Sequence, residues 1–357
     1  MGKSNPETPR LAEQAYKMQR LQEMSVSEIA EYFGRTIPQV KYLLRYYRKY
    51  MRDGRSLVPE EGDTTAETVT FEDLKRASRS AGSSLMEAVG QLQNSLDDMD
   101  SKQVEVTLRL DNEQDWFGVA FTGDWHVGHR GTDHRRLEQD NLLIANTPGL
   151  YAVVTGDVAE RAIIHRGSGF PEVISPEAQD MVVVRQADIL DGSVLAWVRG
   201  CHDAWASQIA DIDIVTHLAA ETHAANLWHG GLITIKAGDE KYLIRARHKY
   251  RYNSSLNQAN SARRMVEVLG ECDTAALGHF HNPFVHQEVL QGNTVTLLRT
   301  GTYKVNYDDF AQRAVGLMGA YGVPVVLYNV NEHYSFPVPT LELGIQMLNK
   351  LRKGIEQ

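Results

Sequence analysis

The chain has 357 residues, a formal net charge of −9, and 42% hydrophobic against 23% charged residues. That balance excludes wholesale disorder and fibrous structure, and the length suits one large domain with a small one attached. No apolar run approaches the roughly 20 residues needed to cross a bilayer, and the polar start MGKSNPETPR has no leader-like apolar stretch, so no membrane role is expected. Cys201 and Cys272 cannot make a disulfide framework, which points to a reducing, cytoplasmic setting.

The charge is unevenly spread. Residues 1–58 hold 11 Lys and Arg against 6 Asp and Glu, while the remainder is strongly acidic. This basic arm reads as three helices. Leu11, Ala15 and Met18 recur at helical spacing, Ser25 and Ser27 offer N-cap oxygens to EIAEYF, Gly34 supplies a turn, and Pro38 opens a third helix through QVKYLLRYYRKYM. EMSVSEIAEYFGRTIPQVKYLLR resembles the helix-turn-helix pattern. Ala30 is the small residue, Gly34 the turn, and Ile29, Val40 and Leu43 the apolar anchors. The resemblance implies DNA as partner, with Arg35, Thr36, Gln39 and Lys41 facing bases or phosphates and Arg45, Arg48, Lys49 and Arg52 extending a cationic stripe for backbone contacts, although a tri-helical fold also serves protein contacts.

This domain spans 1–55. Residues 56–103 follow as an acidic, Thr-rich linker and a weakly amphipathic connector helix, suited to docking or oligomerisation. From 104 to 357 strands alternate with helices. Strands are expected at 104–110, 116–123, 151–156, 193–200, 232–238, 241–247, 274–278, 294–300 and 323–330, and helices at 132–147, 176–190, 207–224 and 255–270. The pattern is α/β, with layered sheets flanked by helices.

Chemistry concentrates where these strands end. FTGDWHVG carries Asp124 and His126, TGDVAE carries Asp157, VRGCHDAW carries Cys201, His202 and Asp203, RARHKY carries His248, and ALGHFHNP carries His279 and His281. Carboxylates and imidazoles from five strand ends can converge at one sheet edge, and seven such ligands suffice for two divalent ions sharing a carboxylate. A single Asp-x-His means little. An ordered series, nearly every member behind an apolar strand and a glycine, means a site.

In that order, D-x-H, G-D, G-C-H-D, a lone His and G-H-x-H, the series resembles the calcineurin-like metallophosphoesterase superfamily over roughly residues 116–303. The resemblance implies a four-layer α/β/β/α sandwich and a two-metal hydrolase of phosphate esters. It implies Asp124, His126 and His281 on one metal, Cys201, His248 and His279 on the other, and Asp157 bridging. His202 would face the scissile phosphate as general acid or transition-state stabiliser, and Asp203 would orient its ring. Mn²⁺ is the expected ion, with Zn²⁺, Fe²⁺ and Mg²⁺ as alternatives.

Cys201 departs from the family, which has Asn there. A thiolate is softer than an amide oxygen and favours zinc or iron. Three outcomes are open: thiolate ligation, water in place of the missing oxygen, or a weakened second site. Around His248, Arg245, Arg247, Lys249, Arg251, Arg263 and Arg264 interleave with Tyr250 and Tyr252, which suits a phosphate backbone and its bases as well as an ordinary solvated face. His129 and His134 are candidates to line the cleft, whereas for Glu160, Trp125 and Trp205 packing is the plainer reading. The expected activity is therefore DNA phosphodiester hydrolysis, most like the nuclease subunits of double-strand-break repair complexes. A phosphomonoesterase or protein phosphatase, or a catalytically weak DNA-binding regulator, are the alternatives. A homo-oligomer is compatible with the sequence, and no feature specifies a partner ATPase.

Overall fold

The computed structural model describes residues 15, 26–35, 40, 41, 44, 57–59, 103–108, 115–161, 172–210, 213–251, 257–305 and 319–353. Helix α1 (Val26–Phe33) comes first, with Ile29 and Ala30 buried. Gly34 ends it at φ +58°, and Arg35 N–H returns to Ala30 O at 2.9 Å, as an αL C-cap does. Ala15, Val40 and Leu44 are helical and buried, while Arg35 and Lys41 are exposed. Of the proposed DNA contacts, Thr36, Gln39, Arg45 and Arg48 lie outside the described residues, as do Leu43 and the connector helix.

Beyond the arm stand two mixed sheets. One is built from β3 (Trp116–Thr122), β4 (Leu150–Val154), β5 (Val194–Trp197), β6 (Ala225–Asn226), β12 (Val325–Asn329) and β13 (Ser335–Val338), in the order β13-β12-β3-β4-β5-β6. Strands β3 to β6 run parallel. Their crossovers carry α2 (His134–Asn146), α3 (Pro176–Leu190), and α4 (Cys201–Ala210) with α5 (Ile214–Thr222). Caps set these helices: Asp133 accepts from Arg136 N, Ser175 from Ala178 N with Pro176 in the first turn, and Asp213 from Thr216 N.

The second sheet has the order β1-β2-β7-β8-β9-β11-β10, from β1 (Leu57–Pro59), β2 (Gln103–Leu108), β7 (Gly230–Ala237), β8 (Glu240–Arg247), β9 (Thr274–Leu277), β10 (Phe284–Leu290) and β11 (Asn293–Arg299). Helix α6 (Asn260–Leu269) crosses between β8 and β9, and α7 (Leu341–Lys353) closes the described chain.

Three apolar layers show how the elements stack. Phe117, Val119, Phe121, Tyr151 and Val153 of the first sheet meet Ile233, Ile235, Tyr242, Ile244 and Leu298 of the second. On the first sheet's other face, Ala120, Ala152 and Val154 pack on Leu137, Ile144, Val183, Leu218 and Leu348 from its helices. On the second sheet's other face, Ala275, Leu277 and Leu297 pack on Ala262, Met265 and Val266 of α6. The order is helix, sheet, sheet, helix, as expected. Both faces of β3 are buried, which explains its continuous apolar run rather than an alternating one. Each large side chain so buried contributes about 1.5–3 kcal/mol.

All nine expected strands are present. Four more were not read from the sequence: β1, β6, β10 and β13. Strand β1 falls inside the stretch read as linker and pairs antiparallel with β2, Leu57 opposite Leu108. The helix expected at 207–224 is two helices. The first begins at Cys201 itself, and Asp213 caps the second.

Candidate metal centre

The candidate ligands stand where strands of both sheets end, rather than along the edge of one. Asp124 and His126 follow β3, Asp157 follows β4, Cys201 follows β5, His248 follows β8, and His279 and His281 follow β9. Extended backbone does not aim them. Asp124, His126, Asp157, His279 and His281 all take positive φ, between 47° and 69°. Side-chain alternation along a strand is thus not what pairs Asp124 with His126. Left-handed turns bring the groups inward, at a cost that non-glycine residues bear mainly at functional sites.

Two sets form. Asp124, His126 and His281 make one and Cys201, His248 and His279 the other, the ligand atoms of each lying within 4.8 Å of one another. In the first, His126 Nε2 is 3.1 Å from His281 Nε2, which is 3.1 Å from Asp124 Oδ1. In the second, Cys201 Sγ is 3.7 Å from His279 Nδ1. Asp157 lies between them, its Oδ2 3.2 Å from His248 Nε2 and 3.9 Å from His126 Nε2. The seven residues named from the sequence meet here.

The outer contacts fix which nitrogen faces inward. His126 Nδ1 donates to Glu160 Oε2 at 2.7 Å, and His248 Nδ1 donates to Thr155 O at 2.8 Å. Both rings therefore aim Nε2 at the centre, where that of His248 faces Asp157 Oδ2. Two inward nitrogens about 3 Å apart are spaced as two ligands each about 2 Å from one cation would be. The residues fit divalent ions on that ground.

Charge is unbalanced without cations. Burial opposes ionisation of Asp124, yet His281 and His248 hold its carboxyl below the usual range. Asp157 is held lower still, against burial, by His248 and His202. Burial lowers His126 to about 4 although Glu160 opposes it, and burial with the neighbouring His248 charge lowers His279 to about 4. His248, by contrast, is raised well above its ordinary value, because Asp157 outweighs burial. The carboxylates thus draw positive charge to the same place where cations would supply it.

His202 stands beside the first set, its ring centroid 4.8 Å from that of His126. Asp203 does not orient it, contrary to the expectation from the family. The Asp203 carboxylate accepts from the backbone amides of Gly200 at 2.8 Å, Asp157 at 2.9 Å and Val158 at 3.2 Å. Placed in the first turn of α4, it bends back over its own helix start and cannot serve the ring one residue before it. The partner of His202 Nδ1 is the carbonyl of Glu160. Burial and the nearby Asp157 push Asp203 up to about 6.

Glycines permit this closeness. A Cβ on Gly200 would lie 2.1 Å from both the Asp157 nitrogen and its Oδ1. Gly156 takes φ +99° immediately before Asp157.

Glu160 belongs to the centre, although packing was the plainer reading of it. Besides His126 it meets Lys304 Nζ at 3.2 Å. Lys304 and Thr302, whose Oγ1 donates to Asp124 O at 2.7 Å, carried no recognisable motif in the sequence. Glu160 had only its place three residues after Asp157. His129 and His134 each accept from a backbone amide of their own loop, Gly131 and Gly128 respectively. In the basic stretch, Arg263 is clamped by both oxygens of Glu288 at 2.7 Å and Arg264 meets Glu267, whereas Lys249 and Arg251 are exposed.

No family profile matches the chain, and no curated protein matches it by sequence. Among the solved structures similar to it are a phosphoesterase and a nuclease. The calcineurin-like phosphoesterase YfkN from Bacillus subtilis is 10% identical, with 66% of this chain and 97% of that one covered at a TM-score of 0.35. The Pseudomonas putida nuclease MPE is 13% identical, with 62% and 87% covered at 0.28. The similarity is partial in both cases.

Proposed function

We propose that the chain is a metal-dependent phosphodiesterase acting on DNA, with residues 1–55 as a helix-turn-helix arm that holds the enzyme to its substrate. The observation that carries the reading is the position of Asp157 Oδ2 between two ligand sets, one built from Asp124, His126 and His281 and the other from Cys201, His248 and His279. Two bound divalent cations would supply Lewis-acid polarisation of a phosphoryl group and make water a stronger acid.

The chain's own groups set the rest. Glu160 and the Thr155 carbonyl hold the tautomers of His126 and His248. With Nδ1 of His202 on the Glu160 carbonyl, its Nε2 is left to the substrate, where the imidazolium form can give its Nε2 proton to the departing oxygen and become neutral. The exposed Lys249 and Arg251 suit the flanking phosphates of a nucleic acid. Donor chemistry divides the sets. Carboxylate and imidazole of the first suit Mn²⁺ or Mg²⁺, and thiolate with two imidazoles suits zinc or iron. Two free cysteines fit a cytoplasmic setting.

The test is a substrate panel in the presence of Mn²⁺: single- and double-stranded DNA, bis-p-nitrophenyl phosphate and p-nitrophenyl phosphate. Diester and DNA cleavage that Asp157→Ala abolishes is expected. Cleavage of the monoester alone would replace this reading with a phosphatase, and metal-loaded protein inert on every substrate would replace it with a DNA-binding regulator.

A further inference from the structure

Trp205 is the one exposed member of five tryptophans. Trp125 and Trp197 are fully buried and pack edge to face in the core, and Trp116 and Trp228 are partly covered. Trp205 leaves 48% of its surface in water. An exposed indole is ordinarily unremarkable. This one lies one helical turn after His202, on the same face of α4, with its ring centroid 4.8 Å from the imidazole and the planes 40° apart. His202 in turn meets His126 edge to face. A continuous path of rings thus runs from a metal-ligand candidate to open solvent.

The mounting of the indole is fixed at its inner end. Asp203 ties the start of α4 to the backbone amides of Gly200, Asp157 and Val158, and is itself buried. The ring's position is therefore tied to the loop that carries Asp157. A flat apolar face held at the rim of a phosphate-binding centre has one obvious complement, a planar aromatic group a few bonds from the phosphorus. Nucleotides carry such a group, and every base has a face to stack.

We infer that Trp205 is a substrate-specificity residue that stacks a nucleobase next to the scissile phosphate. The inference rests on the phosphodiesterase reading and deepens it by assigning a base subsite on the His202 side. The sequence-tolerant nature of stacking means that this subsite would select nucleotides over simple alkyl esters without selecting among bases.

The test compares two chromogenic diesters that release the same p-nitrophenolate: thymidine 5′-(p-nitrophenyl phosphate) and methyl p-nitrophenyl phosphate. For Trp205→Ala, kcat/KM is expected to fall about tenfold more for the thymidine ester than for the methyl ester, with Trp205→Phe restoring most of the difference. Equal losses on both esters, or none on either, would overturn the inference. Equilibrium binding of a short oligothymidylate, followed by anisotropy with wild type and both variants, separates the two levels. A wild type that hydrolyses neither ester, yet binds the oligonucleotide about tenfold more tightly than Trp205→Ala does, would remove the hydrolase reading and keep the base subsite. Cleavage without a difference between the esters would do the reverse.

Discussion

Glu160 grips His126 from behind: Oε2 accepts from Nδ1 at 2.7 Å, and both side chains are buried. A carboxylate in this place fixes the tautomer of a ligating imidazole and makes it a better donor. Glu160→Gln keeps the size and removes the charge. It should weaken the tighter-binding metal of the Asp124 set by about 10- to 100-fold, read by calorimetric titration, while His279 and Cys201 continue to hold an ion at the other set. Equal loss at both sets would show that Glu160 supports the fold rather than one ligand.

The Cys201 thiol predicts a spectroscopic signature. Protein loaded with Co²⁺ should show sulfur-to-metal charge transfer in the near ultraviolet, and Cys201→Asn should abolish it while shifting preference toward Mn²⁺ and Mg²⁺. The thermal midpoint should move little, because Cys201 is only partly buried. Identical spectra for wild type and variant would place the thiol outside the coordination sphere.

Gly200 has no room for a methyl group, since a Cβ would reach 2.1 Å from the Asp157 backbone nitrogen. Backbone cannot yield as a side-chain tip can. Gly200→Ala should cost about 1–3 kcal/mol in denaturant unfolding and lower metal uptake as well. A stable variant with normal uptake would mean that the β5–α4 turn relaxes freely.

His333 lies between Glu240, 3.0 Å from Nδ1, and Asp273, 2.9 Å from Nε2, with its ring stacked on Tyr242. Burial opposes its charge, but Asp273 and Glu240 outweigh burial and raise it above 6.5. A raised histidine stabilises the fold below its unfolded value and loses that contribution as pH rises through the folded one. The ring is half exposed, so screening keeps the effect small. The difference in thermal midpoint between wild type and His333→Gln should be largest at about pH 5.5 and shrink toward about pH 9. A gap that widens with pH would contradict the assignment.

For the amino-terminal arm, deletion must stop before Leu57, because β1 pairs with β2 in the sheet. Removing residues 1–55 should weaken DNA binding and flatten its dependence on salt concentration, as loss of phosphate contacts does. An unchanged slope would show that the arm carries none of the contacts.

Most of the site was legible because metal chemistry restricts residue type. Asp124, His126, Asp157, His248, His279 and His281 announce themselves by order and by the apolar strands before them. The strands with continuous apolar runs were legible for a related reason, being buried on both faces. What escaped notice lacks such restriction. Strand β10, FVHQEVL, is half exposed along its length and reads as ambiguous. Lys304 and Thr302 lie just beyond the end of β11, and their types are common anywhere. The misassigned role of Asp203 has a different origin, since only the start of α4 at Cys201 turns that carboxylate toward amides instead of the His202 ring.

Asp140 is wholly buried in α2, and its carboxylate accepts from the hydroxyls of Tyr303 and Tyr321, each at 2.8 Å, and from Arg136 at 2.9 Å. Tyr303 is also bonded through its amide to the Asp124 carbonyl. The chain between the two tyrosines therefore begins and finishes on one anchored acid group. One acid outside the ligand cage thus braces, through Tyr303, the backbone of a ligand inside it, so that a substitution at Asp140 would reach the centre without touching any ligand.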